Sequence, residues 1–190
     1  MQPSPPLTRN TIHSTLSTSW LGRRIELFDS IPSTNREAVR LAQANVEHGT
    51  VVVADSQSAG RGRLARTWFS PPGSNLYCSA ILKAARPPER LTEWLSWLPL
   101  ISALAAAEAI EAVSSLHVSV KWPNDLLISE RKVGGILCES GAGTGSAPFQ
   151  VIGIGLNVNV EQQDWPEELR ELATSMWHEQ RHVVDRNRLL

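Results

Sequence analysis

Polar and apolar residues alternate over 24–28 (RIELF), as in a strand with one buried face. A helix opens at Ser33 and Thr34, where Thr34-Asn35-Arg36-Glu37 fits a capping box. Ala38, Leu41, Ala42 and Val46 recur at helical spacing and form its apolar face, and Gly49 closes it. Short apolar runs at 50–54 (TVVVA) and 75–82 (NLYCSAIL) read as buried strands. Leu91 to Val113 is a long Ala-rich apolar stretch in which Pro99 marks a first turn or a kink.

Strand patterns then recur at 118–122, 125–129, 133–140 and 149–160. The turns SERK and GAGTGSAP (141–148) separate the last three, which predicts an antiparallel meander. PEELRELA (166–173), with proline at its start, predicts a short helix. Strands and helices do not alternate strictly. The fold expected is therefore α+β, a mixed and largely antiparallel sheet with helices on one face.

A chain of 190 residues fits one domain. Residues 1–20, rich in Pro, Ser and Thr, read as a partly disordered segment before a domain at 21–190. That segment is neither a secretory signal nor a membrane span. The net charge of -1 gives no global positive field for nucleic acid, so any charge specialisation is local. Cys78 and Cys138 read as small buried hydrophobes of a protein in a reducing cytoplasm. Most of the seven tryptophans read as core.

The local charge lies in Gly60-Arg61-Gly62-Arg63-Leu64-Ala65-Arg66, three arginines with no acid between them. Glycines permit close backbone approach, and the planar arginine fork suits carboxylate and phosphate oxygens. Trp68-Phe69-Ser70-Pro71-Pro72 follows, and its prolines exclude the helix that a dinucleotide-binding glycine motif requires. Lys121-Trp122-Pro123-Asn124-Asp125 ends one strand and opens the next, and the SERK turn brings Lys132 back beside Asp125. An amine beside a carboxylate is a common structural pair, and it also furnishes phosphoryl sites.

Six blocks together resemble the biotin–protein ligases: Ser33-Thr34-Asn35, Gln57 to Arg63, Arg66-Thr67-Trp68, Lys121 to Asp125, Arg131 to Leu137, and Gly153 to Asn159. The resemblance covers about residues 12–190 and implies a fold of the class II synthetase and biotin ligase type. It implies two steps: biotin is activated with ATP to biotinyl-5'-AMP, then passed to a lysine of a biotin carboxyl carrier protein. Ser33, Thr34, Asn35, Gln57, Arg61, Gly62, Arg63 and Lys132 would then hold biotin, while Arg66, Trp68, Asn124 and Asn157 would serve the nucleotide. Lys132 and Arg63 would act in catalysis, and Gly134 and Gly135 would let the backbone approach biotin. Asp125 is the candidate to hold the incoming amine. Mg²⁺ would ride on the phosphates of ATP, with no dedicated protein metal site.

Three departures qualify the resemblance. Ala65 stands where the family has glycine, which is strained if that residue adopts positive φ. About 20 residues precede the first strand, so no DNA-binding domain is expected. Asp185 to Leu190 resembles the start of the family's next helix, so that helix and a small C-terminal β-domain are expected to be absent. Two rivals remain: a biotin-binding module with little turnover, and a zinc peptidase through His178-Glu179-Gln180-Arg181-His182.

Overall fold

The computed structural model describes residues 4–83, 91–142 and 148–190. Helix α1 (Arg9–Thr15) precedes strand β1 (Ile25–Ile31), helix α2 (Thr34–Gln43) and strand β2 (Val51–Gln57). β1 and β2 run parallel, and α2 is the crossover that such a pair needs. Strand β3 (Leu76–Lys83) returns antiparallel to β2, followed by helix α3 (Leu91–Val113). β4 (Ser119–Lys121), β5 (Asp125–Ile128), β6 (Arg131–Ala142) and β7 (Pro148–Leu156) form the expected meander. The sheet runs β1-β2-β3-β7-β6-β5-β4, mixed and largely antiparallel as the patterning predicts. The GAGTGSAP turn lies mostly outside the described residues, with Ala142 paired to Pro148 at its base.

Helices cover both faces of the sheet, not one. Strand residues alternate between two cores: Val51 and Val53 pack with Ile110 of α3 and Ile12 of α1, whereas Val52, Ile81, Phe149 and Val151 pack with Ala38 and Ala42 of α2. α2 is short, so it covers only part of its face and leaves the β6–β7 end open.

Three local expectations give way. α2 stops at Gln43, well before Gly49, because Asn45 takes a left-handed φ of 62°. The Val46 N–H then bonds Leu41 O and the Asn45 N–H bonds Ala42 O, a Schellman closure with asparagine in place of glycine. Its first residues form no capping box: Glu37 pairs with Arg40, and the Thr34 N–H is taken by the side chain of Gln57. Residues 166–173 form only a 3₁₀ turn, Glu167–Leu169, because Leu172 O and Thr174 N are drawn into hydrogen bonds with Lys132. Pro99 sits well inside α3, which excludes the first turn of the two places expected for it.

The N-terminal segment also differs. Residues 9–15 are helical and Ile12 is fully buried, so this stretch belongs to the core. Helix α5 (Arg186–Leu189) packs near it, and Arg186 is only 1% exposed. Arg186 Nη1 donates to Asp55 Oδ1 at 2.7 Å and to Asn75 O at 3.0 Å, and Nε donates to Ser4 Oγ at 3.2 Å. A charge buried this deeply survives only when its donors are matched, so the cluster ties both chain ends to β2.

The cysteines behave as expected: burial pushes the Cys78 thiol up to about 12 and Cys138 up to about 11, so neither is poised as a nucleophile. The tryptophans do not. Trp20, Trp97 and Trp122 are exposed, and among the described residues only Trp165 is buried. Leu95–Val113 is long and apolar enough to cross a membrane, but Leu98, Ala103, Ala106 and Ala107 of this helix pack into the sheet's core.

Candidate active site

The uncovered part of the α2 face is floored by glycine. In the β6–β7 ladder Gly135 lies opposite Gly155, and Leu137 lies opposite Gly153. A Cβ on Gly153 would sit 2.0 Å from Asn35 Oδ1, and one on Gly155 would sit 2.8 Å from the Trp68 ring. These two positions let the start of α2 and the Trp68 indole lie against the sheet. Gly135 joins them, beneath Lys132 and Trp68. Gly134 does not: its missing side chain points at Leu156 and Leu126 on the other face, where the core is packed.

At the start of α2, Ser33, Thr34 and Asn35 are all buried. Gln57 Oε1 accepts from the Thr34 N–H at 2.8 Å, and Gln57 Nε2 donates to Ser70 Oγ at 3.1 Å. Ser79 donates to Asn35 Oδ1 at 2.6 Å and lies 2.8 Å from Thr34 Oγ1. Asn35 Nδ2 donates to Leu137 O and to Glu139 Oε2. The Ser33 hydroxyl has no partner among the described residues and lines the cavity. Thr34, Asn35 and Gln57 on this polar edge are thus held by hydrogen bonds within the protein itself.

The arginine loop closes the opposite side. An isolated bridge pairs Arg61 with Thr67, and Gly62 N donates to Arg66 O at 2.7 Å. Arg61 reaches Glu139, Arg63 Nη1 donates to Asn124 Oδ1 at 3.0 Å, and Arg66 has no side-chain partner among the described residues. Lys132 Nζ lies 2.5 Å from Asp125 Oδ1 and 5.3 Å from the centre of the Trp68 ring. Asp125 and Lys132 thus form an ion pair inside the cavity. Asn157, also buried, donates to Lys132 O at 3.2 Å and so braces the lysine's backbone.

Ala65 has φ 58°, the left-handed region that disfavours a Cβ, and Leu64 beside it has φ 54°. Ala65→Gly should relieve about 1 kcal/mol of backbone strain. The melting temperature should rise by about 2–4 °C, the shift such a gain gives a domain of this size. An unchanged or lower melting temperature in a calorimetric scan would show that the loop carries no such strain.

The residues named from the sequence for biotin, nucleotide and catalysis, Gly134 excepted, line one cavity of about 520 Å³, within the range of small-molecule sites. Trp165, Leu169 and Leu172 add an apolar wall. Sequence reasoning missed Glu139, Ser79 and Ser70, which hold the site residues in place from strands and a loop. Their signal exists only once strand register is known.

The zinc-peptidase geometry is not formed. Helix α4 (Met176–Gln180) ends before His182, and Arg181 is left-handed with φ 61°, so the two imidazoles share no helix face. Glu179 is held by Arg131 and Thr174. Burial and the nearby Arg131 and Arg181 charges lower the pKa of His178.

Comparison with known proteins matches these features. A "Bifunctional ligase/repressor BirA" of Bacillus spizizenii is 38% identical over 95% of this chain and 54% of that protein. A "Biotin--[acetyl-CoA-carboxylase] ligase" of Mycobacterium tuberculosis is 31% identical over 97% of this chain and 67% of that protein. The solved biotin protein ligase of Aquifex aeolicus, in complex with biotin and ATP, superposes with a TM-score of 0.72 at 34% identity, covering 88% of this chain and 65% of that one. The chain spans about half the length of the Bacillus relative. Residues 27–159, which carry the glycine floor, the arginine loop and Lys132, match the description "Biotin/lipoate A/B protein ligase family", and to that family the chain belongs.

Proposed function

We propose that this domain activates biotin with ATP and transfers the biotinyl group to a lysine of a biotin carboxyl carrier protein. One observation carries the reading: Lys132, Arg61, Arg63 and Arg66 share a single cavity with the polar start of α2 and a floor of glycine. In the first step a biotin carboxylate oxygen bonds to the α-phosphorus of ATP, and pyrophosphate leaves. Two anions must meet. One opposed charge at ~4 Å is worth about 4 kcal/mol at an effective dielectric of 20, so clustered cations offset the repulsion. Positioning and charge neutralisation then suffice, with little acid–base work.

In the second step the lysine amine attacks the acyl carbon, an amide forms, and AMP leaves. Lys132 is the residue best placed to bridge carboxylate and phosphate, with Asp125 holding its ammonium and Trp68 beneath it. Arg66 and the Ser33 hydroxyl keep free donors for ligand. Asp125 is the only carboxylate lining the cavity among the described residues, and Lys132 already occupies it. Mg²⁺ would accordingly be carried by the phosphates. The two unreactive thiols fit a reducing cytoplasm.

The strained Ala65 backbone favours a second reading, in which biotin binds but turns over slowly. Biotin-dependent release of pyrophosphate from ATP, followed by mass gain on a carrier lysine, tests both. Pyrophosphate release and a biotinylated lysine are expected. Biotin binding without pyrophosphate release would leave the binding module in place of the ligase.

A further inference from the structure

We propose that Glu139 is a positioning residue that holds the arginine loop closed over the cavity with Arg61 still open to ligand. The proposal rests on the ligase reading for its kinetic part only. Glu139 lies on β6, opposite Val151, at the edge of the glycine floor. Arg61 Nη2 donates to both Glu139 carboxylate oxygens at 3.1 Å. The carboxylate therefore uses a single nitrogen of the guanidinium. Arg61 Nε and Nη1 have no partner among the described residues and remain available for a carboxylate or phosphate oxygen. Glu139 Oε2 also accepts from Asn35 Nδ2 at 2.7 Å, and Asn35 in turn is fixed by Ser79. One carboxylate thus joins the loop to the start of α2, the two sides between which the ligand must lie. Among the described residues, one other side-chain hydrogen bond joins the loop's arginines to the sheet side, Arg63 to Asn124, and it is uncharged at one end. Loss of the Glu139 charge should release the Arg61 end of the loop and blur the placement of Asn35.

Limited trypsin digestion of the whole chain without ligand, with peptides identified by mass, reads the latch directly. Glu139→Gln should speed cleavage after Arg61, Arg63 and Arg66 several-fold, and Glu139→Ala should do so further, with melting temperatures showing both variants folded. In pyrophosphate release, Glu139→Gln should raise KM for biotin about tenfold and lower kcat less, because the residue organises the site without touching the reacting atoms. Faster cleavage confined to Arg61, or none, would overturn the proposal, since the ion pair would then only cover one side chain. A kcat loss with KM unchanged would overturn it too. If the unaltered chain releases no pyrophosphate, the ligase reading fails while the digestion result still decides the latch.

Discussion

Lys132→Ala should slow biotin-dependent pyrophosphate release about 10²–10³-fold, the usual cost of losing one preorganised charge partner. The substitution is clean because the lysine's backbone is held independently of its side chain. Lys132 N donates to Leu172 O, and its carbonyl accepts from Thr174 N and Asn157 Nδ2. Alanine keeps all of these and removes only the ammonium. Its loss also leaves Asp125 as an unneutralised carboxylate facing two anions. Lys132→Arg should rescue poorly, since a planar fork does not replace a compact point charge against Asp125 over the Trp68 ring. Asp125→Asn, measured beside it in single-turnover assays, separates two roles. If Asp125 orients Lys132, adenylation and transfer fall together. If it holds the incoming amine, only transfer falls, and the deficit shrinks as pH rises and more amine arrives unprotonated. Near-normal pyrophosphate release by Lys132→Ala would remove the lysine from the mechanism.

Site residues that lie in compact motifs were legible. The arginine-rich glycine loop declares itself by residue type, whereas the Lys-Trp-Pro-Asn-Asp turn and the Ser-Thr-Asn helix start are picked out as site residues only through the family resemblance. Glu139 and Ser79 showed in neither way, since each is one polar residue in a strand, and its facing depends on register with a distant partner. The same dependence hid which glycine matters: Gly134 and Gly135 are adjacent, yet the pleat sends one to the core and the other to the cavity. Local propensity failed where tertiary bonds intervened. Residues 166–173 have helical composition, but the pairing of their end with Lys132 outcompetes it. The sheet order was legible as far as turns were short, and the second helix layer was not, because the face covered by a crossover helix is set by packing.

Gly153→Ala should weaken biotin binding about 10²-fold although it adds one methyl group to a residue that no ligand chemistry requires. The new Cβ would fall 2.0 Å from Asn35 Oδ1 and 2.8 Å from its Cγ, well inside contact distance. The strand cannot retreat: Gly153 is paired with Ser79 of β3 on one side and Leu137 of β6 on the other. Asn35 must therefore move, breaking its bonds to Ser79, Leu137 O and Glu139. Overpacking of this kind costs about 1–3 kcal/mol in stability. The functional cost is larger, because a displacement of about 1 Å in a positioning group can remove 10² in activity. The double variant Gly153→Ala with Asn35→Ala removes the overlap, so it should regain melting temperature without regaining biotin affinity. Calorimetric titration with biotin, beside thermal melts of the three proteins, measures both quantities. Biotin affinity in Gly153→Ala equal to that of the unaltered chain would show that Asn35 is not held against this strand.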